Sequence, residues 1–314
     1  MKRHSRVADW GLLILCNLMW ASQYVMARIV QEQMGPVFAT FLPITIATLL
    51  LIPIVIYGRR KGSGDYHQGD IPRRDVMAFI VIGVCGQIPA QLFITWGVGW
   101  ALASNAALIA LTLPILTALM AYFMLGERMT RLRWISFALA LVGAVECSGI
   151  QWGELNFGKS KFVLGNVLIF LGIAGSAFYN VYSKKLLVRY SSVEVQLYSY
   201  YAVVACILPI TLVAEPGGFA NLPHFTMTVW AALLVLALFV YLLSMLIFLH
   251  VLSRMDAIQA GLSNYMIPFF GLILASILLH ERLTGFMVIG GVLVLVSTLL
   301  MTVFENRQWL QSVG

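Results

Sequence analysis

The chain has 314 residues, of which 61% are hydrophobic and 11% are charged, and its formal net charge is +7. A soluble domain carries roughly 25% charged residues, and no soluble shape can bury an apolar fraction this large. These proportions exclude a soluble globular protein and predict that lipid surrounds most of the chain.

Ten apolar segments follow one another, each long enough to cross a bilayer as a helix of about 20 residues. Because backbone groups in lipid cannot stay unpaired, each segment is predicted to be α-helical. The N-terminal run has no small-residue cleavage site after it, so we interpret it as a retained span rather than a signal peptide. The predicted spans are 8–28, 36–58, 75–97, 100–125 and 132–150 in the first half, and 163–184, 192–214, 227–251, 257–280 and 284–304 in the second.

The basic residues predict how these spans are oriented. With a cytoplasmic N-terminus, 16 of the 20 Lys and Arg residues fall in cytoplasmic segments and 4 in outer segments. This positive-inside excess predicts a multi-pass protein of the cell inner (cytoplasmic) membrane with both termini in the cytoplasm. It also accounts for the net charge without a nucleic-acid partner.

A repeated phrase relates the two halves of the chain. YFMLGERMT at 122–130 returns as SILLHERLT at 276–284, an offset of 154 residues. Each half has five predicted spans, an odd number, so the second half enters the membrane from the opposite side. The predicted fold is an all-α polytopic membrane protein whose ten transmembrane helices form two inverted five-helix repeats, at 1–155 and 156–314.

At these phrases the chain resembles the drug/metabolite transporter superfamily, and specifically its EamA-type members. The resemblance is carried by two Pro…Gly-Glu-Arg-like phrases, at 114–128 and 268–282, and by the paired segments WASQYVMAR at 20–28 and SAFYNVYSKK at 176–185. It extends over nearly the whole chain. The resemblance implies export or exchange of small metabolites, often amino acids or related compounds, through a central cavity.

Polar residues recur in the middle of six predicted spans, where exposure to lipid would be costly. They indicate either a hydrated cavity or hydrogen bonds that join helices, and their number favours a cavity lined by amides, hydroxyls and aromatic rings. The residues expected to contact the solute are Trp20, Gln23, Tyr24, Gln87, Gln91, Asn105, Tyr179, Asn180, Tyr241 and Asn264.

Two further features predict helix geometry. Pro114 and Pro268 are expected to bend the fourth and ninth spans, because proline removes a backbone donor. Ser136, Ala140 and Ala144 recur every four residues in the fifth span, a spacing that favours close contact between helices.

The predicted function is a secondary transporter that exports or exchanges a small organic metabolite by alternating access. Aromatic or other amphipathic amino acids are the favoured class, and the expected partners are this solute and membrane lipid. A membrane channel or a non-catalytic scaffold protein is the alternative. Since Glu146 and His250 lie toward the ends of their spans, a facilitator or exchanger is preferred to a proton-coupled carrier.

No catalytic residues, cofactor or metal site are expected. GELNFGKS at 153–160 fits the Walker A pattern, but it lies between two predicted spans, and no segment is long enough for an α/β domain around it. HERLT at 280–284 lacks the second histidine of the zinc motif H-E-x-x-H.

Overall fold

The computed structural model describes residues 6–62, 66–100, 109–147, 160–279 and 285–313, and all regular structure in these ranges is helical. The all-helical prediction is therefore confirmed. In the first half the helices are α1 (Arg6–Gln31), α2 (Pro36–Arg60), α3 (Arg73–Val81), α4 (Ile94–Trp100), α5 (Leu113–Leu125) and α6 (Arg131–Cys147). In the second half they are α7 (Ser160–Leu186), α8 (Ser192–Ala214), α9 (Met227–Val235), α10 (Met245–Leu252), α11 (Ala257–Leu262), α12 (Met266–Leu279) and α13 (Gly285–Val313).

Several helical segments have the length and composition of membrane spans. Six of them are long and apolar enough to cross a bilayer within the described chain: Val7–Gln31, Pro36–Arg60, Arg73–Gly97, Val163–Leu186, Ser192–Ala214 and Met227–Leu252. Leu113–Leu125 and Val288–Leu300 are also apolar but shorter.

Stretches of π-helix interrupt two of these segments at related positions. Ile82–Gln87 and Pro89–Phe93 connect α3 to α4, and Leu236–Ser244 connects α9 to α10. The π-helix of the first half begins at Ile82 and that of the second half begins at Leu236, which is 154 residues later. This distance equals the offset of the sequence repeat. A π-turn leaves carbonyl groups without their usual helical partner, and the Tyr241 carbonyl accepts a 2.7 Å hydrogen bond from the Tyr200 hydroxyl.

The two repeated prolines lie at the starts of helices. Pro114 lies in the first turn of α5, and Pro268 lies in the first turn of α12 after the 3-10 turn Ser263–Tyr265. A first-turn residue needs no helical N–H partner, so proline is accommodated there. The α-helix is interrupted just before each proline, and the bend of the two spans stays a prediction.

Helices α2 and α8 lie side by side and run antiparallel. Glu215 follows the last residue of α8, and its carboxylate accepts 2.9 Å hydrogen bonds from the N–H groups of Val37 and Phe38, at the start of α2. At the other end, Arg59 of α2 pairs with Glu194 of α8 at 3.0 Å. Each carboxylate interacts with the positive end of a helix or a basic side chain, which fixes both ends of the pair.

Helices α6 and α13 approach closely along small residues. A methyl group on Gly143 would come within 2.7 Å of the Gly290 carbonyl oxygen, and Ser136, Ala140 and Ala144 are buried. The close contact predicted from the small-residue spacing is present.

A similar contact brings α7 against the π-helical stretches of the third span. A methyl group on Gly175 would lie 2.8 Å from the Gly86 carbonyl oxygen, and one on Gly86 would lie 2.9 Å from Tyr179 Cβ. The glycines allow the two backbones to meet, and they bring Tyr179 beside Gln87 in the interior of the bundle.

Candidate solute-binding cavity

A cavity of about 130 Å³ lies inside the helical bundle. Its main walls are α1, α7 and the π-helical stretches before α4. Helix α10 and the break between α11 and α12 also border it. Its lining residues Ile173 to Asn180 lie in the middle of α7. Trp20 and Gln23 lie in the half of α1 that is predicted to be nearer the outer side of the membrane. The cavity is therefore placed well inside the helical bundle rather than at its ends.

The cavity brings together seven of the ten residues predicted to contact a solute: Trp20, Gln23, Gln87, Gln91, Tyr179, Asn180 and Asn264. Tyr241 does not line it but lies behind Gln23, whose amide donates to the Tyr241 hydroxyl at 3.5 Å. Asn105 lies outside the described residues, and so does the side chain of Tyr24.

Sequence reasoning missed the apolar part of the lining. Ala90, Ile94, Leu113, Ile173, Met245 and Ile267 also border the cavity, and Thr95 and Ser176 add hydroxyl groups. A signal for some of them was present, because Met245 lies 154 residues after Gln91 and Ile267 lies 154 residues after Leu113. Some lining positions in one half therefore predict lining positions in the other half through the 154-residue offset.

Three glutamines form a chain of amides along one wall. Gln23 donates to Gln91 at 3.3 Å, and Gln91 donates to Gln87 at 3.4 Å. The π-helical stretches hold Gln87 and Gln91, while α1 supplies Gln23. These bonds lie at the long end of the hydrogen-bond range, so the amides are free to exchange them for bonds to a solute at little cost.

Asn264 lies on another wall, in the 3-10 turn between α11 and α12. It is 5% exposed, and neither its amide nitrogen nor its amide oxygen has a hydrogen-bond partner among the described residues. The hydroxyl of the neighbouring Ser263 accepts a 3.0 Å hydrogen bond from Asn17 of α1, which connects this turn to α1. A buried amide without partners is costly, and a polar solute would supply the missing hydrogen bonds.

Charged side chains gather away from the cavity, at the end of the bundle predicted to face the cytoplasm. Glu127 accepts hydrogen bonds from Lys184 at 2.6 Å and from the backbone of Ala257 and Ile258 at 2.8 and 2.9 Å. Asp256, in turn, pairs with Arg133 and lies 3.7 Å from Lys184. These four side chains and two backbone N–H groups, which we call the inner-end cluster, join α6, α7, the start of α11 and the segment between α5 and α6.

Apolar helices long enough to cross a membrane, with an internal cavity whose described lining carries no charged group, are typical of a multi-pass membrane protein. A family model described as the EamA-like transporter family matches residues 10–147 and 163–303. The chain therefore belongs to the EamA-like transporter family.

Relatives with similar lengths are described as a transporter, an exporter or an efflux pump. An uncharacterized transporter of Archaeoglobus fulgidus is 25% identical, over 94% of this chain and 98% of the relative. A probable terminal-alkyne amino-acid exporter of Streptantibioticus cattleyicolor is 26% identical, over 93% and 92% of the two chains. A probable amino-acid metabolite efflux pump of Salmonella typhimurium is 24% identical, over 95% and 96%.

A solved crystal structure has the same fold. It aligns with 97% of this chain and 99% of its own chain at a TM-score of 0.78. The sequence identity of 21% limits this similarity to the fold.

Proposed function

We propose that the chain is a secondary transporter that exports or exchanges a small organic metabolite across the cell inner membrane by alternating access. The carrying observation is the polar cavity inside the bundle, where Gln91 and Asn180 face Trp20 and Asn264. Such a site offers hydrogen bonds and an aromatic ring at the depth where secondary transporters bind their solutes. Amino acids and their derivatives are the favoured class, in keeping with the names of the two relatives described as an amino-acid exporter and an amino-acid metabolite efflux pump.

The proposed architecture has ten spans in two inverted five-helix repeats, with both termini in the cytoplasm. The antiparallel contact of α2 with α8 supports it, because these helices occupy the same place in the two halves. The contact of α6 with α13 supports it in the same way. Rocking of one half against the other would expose the cavity first to one side and then to the other.

Transport is tested by counterflow into liposomes that contain the purified chain. Saturable exchange of a labelled solute from a broad panel of metabolites is expected, whereas single-channel current steps would identify a pore instead. The variants Gln91→Ala and Asn180→Ala are expected to lower exchange at least tenfold without loss of expression. Gln31→Ala is the matched control, because Gln31 is exposed at the end of α1, away from the cavity. Equal exchange by all three variants would contradict the assignment of the cavity as the binding site.

A further inference from the structure

The described lining of the cavity contains no charged side chain. Fifteen described residues border it, and they include amides, hydroxyls, aromatic rings and aliphatic groups but neither acidic nor basic side chains. The segment ALASNAAL at 101–108, which precedes Leu113 in the sequence, also contains no acidic or basic residue. From the described lining, a solute in this cavity therefore meets dipoles rather than counter-charges.

The nearest charged groups along α7 already have partners. Lys184 follows Asn180 by four residues, which is about 6 Å along the helix. Its ammonium group is bound by Glu127 at 2.6 Å and lies 3.7 Å from Asp256. Glu127 also caps α11 through the backbone of Ala257 and Ile258, so releasing it toward the cavity would leave two helix N–H groups unbound.

The two titratable groups nearest the ends of their spans, Glu146 and His250, lie outside the described lining as well. Glu146 is exposed near the end of α6, and His250 lies in the last turn of α10. Neither borders the cavity. A solute with a net charge would thus lose hydration in the cavity without gaining an opposite charge from the described residues, which is strongly unfavourable.

The amides instead match a solute that both donates and accepts hydrogen bonds. Asn264 has a donor and an acceptor without partners among the described residues, and the Gln23–Gln91–Gln87 chain has bonds of 3.3 and 3.4 Å that a solute can replace. Carboxamides and zwitterionic amino acids carry such paired groups while their net charge stays zero. Trp20 adds an aromatic surface for the apolar part of the solute.

We propose that the cavity selects solutes of zero net charge and rejects anionic and cationic analogues of the same shape. This inference rests on the proposed carrier function and specifies the substrate class of its site. If the solute moves without a coupled ion, as in the facilitator or exchanger expected from the sequence, its uptake carries no net charge across the membrane, and a membrane potential does not change its accumulation.

Selectivity is tested in liposomes with pairs of probes that have nearly the same shape and differ in net charge. We would use glutamine with glutamate, nicotinamide with nicotinate, and norleucine with lysine, alongside the broad panel of the transport assay. The neutral member of each transported pair is expected to exchange at least ten times faster than its charged partner. Exchange of a charged member as fast as its neutral partner overturns the inference, and so does a panel in which only charged solutes exchange. Silence on every solute would instead remove the carrier function itself.

The membrane potential gives a test that needs no variant. A potential of about 100 mV changes the equilibrium accumulation of a singly charged solute about 50-fold. For every solute that the panel shows to be taken up, accumulation with a potassium diffusion potential is expected to equal accumulation without it. A dependence on the potential that is not accompanied by a change of the pH inside the liposomes overturns the inference.

Introducing one charge tests whether the lining causes the selectivity. Gln91→Glu is expected to raise the exchange of lysine relative to norleucine at least tenfold, because the new carboxylate supplies a counter-charge. Gln33→Glu is the matched control, since Gln33 is exposed beyond the end of α1 and does not border the cavity. An unchanged ratio in a Gln91→Glu protein that still exchanges norleucine overturns the inference, and the potential measurement decides the matter if this variant does not fold.

Discussion

Single carboxylates in this protein connect elements that are far apart in sequence. Glu127 comes from the repeated phrase GERMT, and its carboxylate caps α11 of the second half while it binds Lys184 of α7. The negative charge lies at the positive end of the α11 dipole, where it is favourable. The phrase therefore has a structural role in holding the inner-end cluster together.

Replacing this charge should destabilise the protein. Hydrogen bonds to a charged group are worth roughly 1.5–3 kcal/mol each, so Glu127→Gln is expected to lower the free energy of unfolding by about 1–3 kcal/mol. The midpoint of thermal unfolding in detergent measures the loss. Glu146→Gln is the control, because Glu146 is exposed and its change should leave the midpoint unmoved. Equal midpoints for the two variants would show that the Glu127 cap contributes nothing.

Tyr190 provides a second residue-scale prediction, which concerns pH. Burial, followed by the hydrogen bond and charge of Asp75, raises the pKa of Tyr190 from 10.0 to about 12. Its hydroxyl donates to Asp75 at 2.8 Å, and Arg189 binds the other carboxylate oxygen at 3.0 Å. Because the raised pKa favours the neutral phenol in the folded state, its stabilisation is complete below pH 10 and is lost as the pH rises through about 12.

The corresponding measurement compares thermal unfolding of the wild type and Tyr190→Phe between pH 7 and pH 12. We expect the wild type to be more stable by about 1 kcal/mol at neutral pH, which is typical of one hydrogen bond. This advantage should shrink above pH 10. Tyr57→Phe, a change at an exposed ring, should show no such trend. A difference that stays constant with pH would refute the role assigned to the phenol proton.

At the scale of elements, glycines decide how closely the helices pack. Gly175 of α7 meets the Gly86 carbonyl oxygen and Pro89, whereas nothing lies within 4 Å of a methyl group placed on Gly11 of α1. Glycine to alanine in a helix normally stabilises by roughly 0.5–1 kcal/mol, but an overpacked contact costs about 1–3 kcal/mol.

The two glycine variants should therefore have opposite effects. Gly11→Ala is expected to raise the thermal unfolding midpoint, and Gly175→Ala is expected to lower it because the backbone of Gly86 cannot move aside cheaply. The same assay measures both proteins. A stabilising effect of Gly175→Ala would show that α7 and the π-helical stretch are not in the close contact described here.

The elements also show what could be predicted from the sequence. Hydropathy and turn residues placed the helices well: the predicted span 192–214 coincides with Ser192–Ala214, and Gly126 ends α5 in the left-handed conformation at φ 72°. The π-helical stretches were not predicted, because a π-turn depends on tertiary partners such as the Tyr200 hydroxyl rather than on local propensity.

Dependence on tertiary contacts also limits how much of the cavity lining can be predicted from the sequence. Polar residues in a span are conspicuous because lipid excludes them, so Gln87 and Asn180 could be found from the sequence. Ile173 and Ile94 could not, since an aliphatic residue is equally suited to a cavity, a helix contact or lipid. The polarity of Tyr241 alone predicts that it lines the cavity. In the structure its hydroxyl instead accepts a hydrogen bond from Gln23, which lines the cavity.

At the scale of the whole molecule, equivalent helices of the two halves meet each other. Helix α2 packs on α8, α6 packs on α13, and the π-helical stretches recur at the repeat offset. Contacts between equivalent elements are the arrangement that a two-fold axis in the membrane plane would generate. This pattern makes the proposed inversion directly testable at equivalent positions.

Arg60 and Ala214 provide such a pair. They end α2 and α8, they are 154 residues apart, and both are exposed. In a background without the native cysteines, Arg60→Cys is expected to react with a membrane-impermeant thiol reagent only from the cytoplasmic side. Ala214→Cys is expected to react only from the outer side, because the inverted repeat places equivalent helix ends on opposite faces. Both should react fully once the membrane is permeabilised, and reaction of both from the same side of an intact membrane would rule out the inverted architecture.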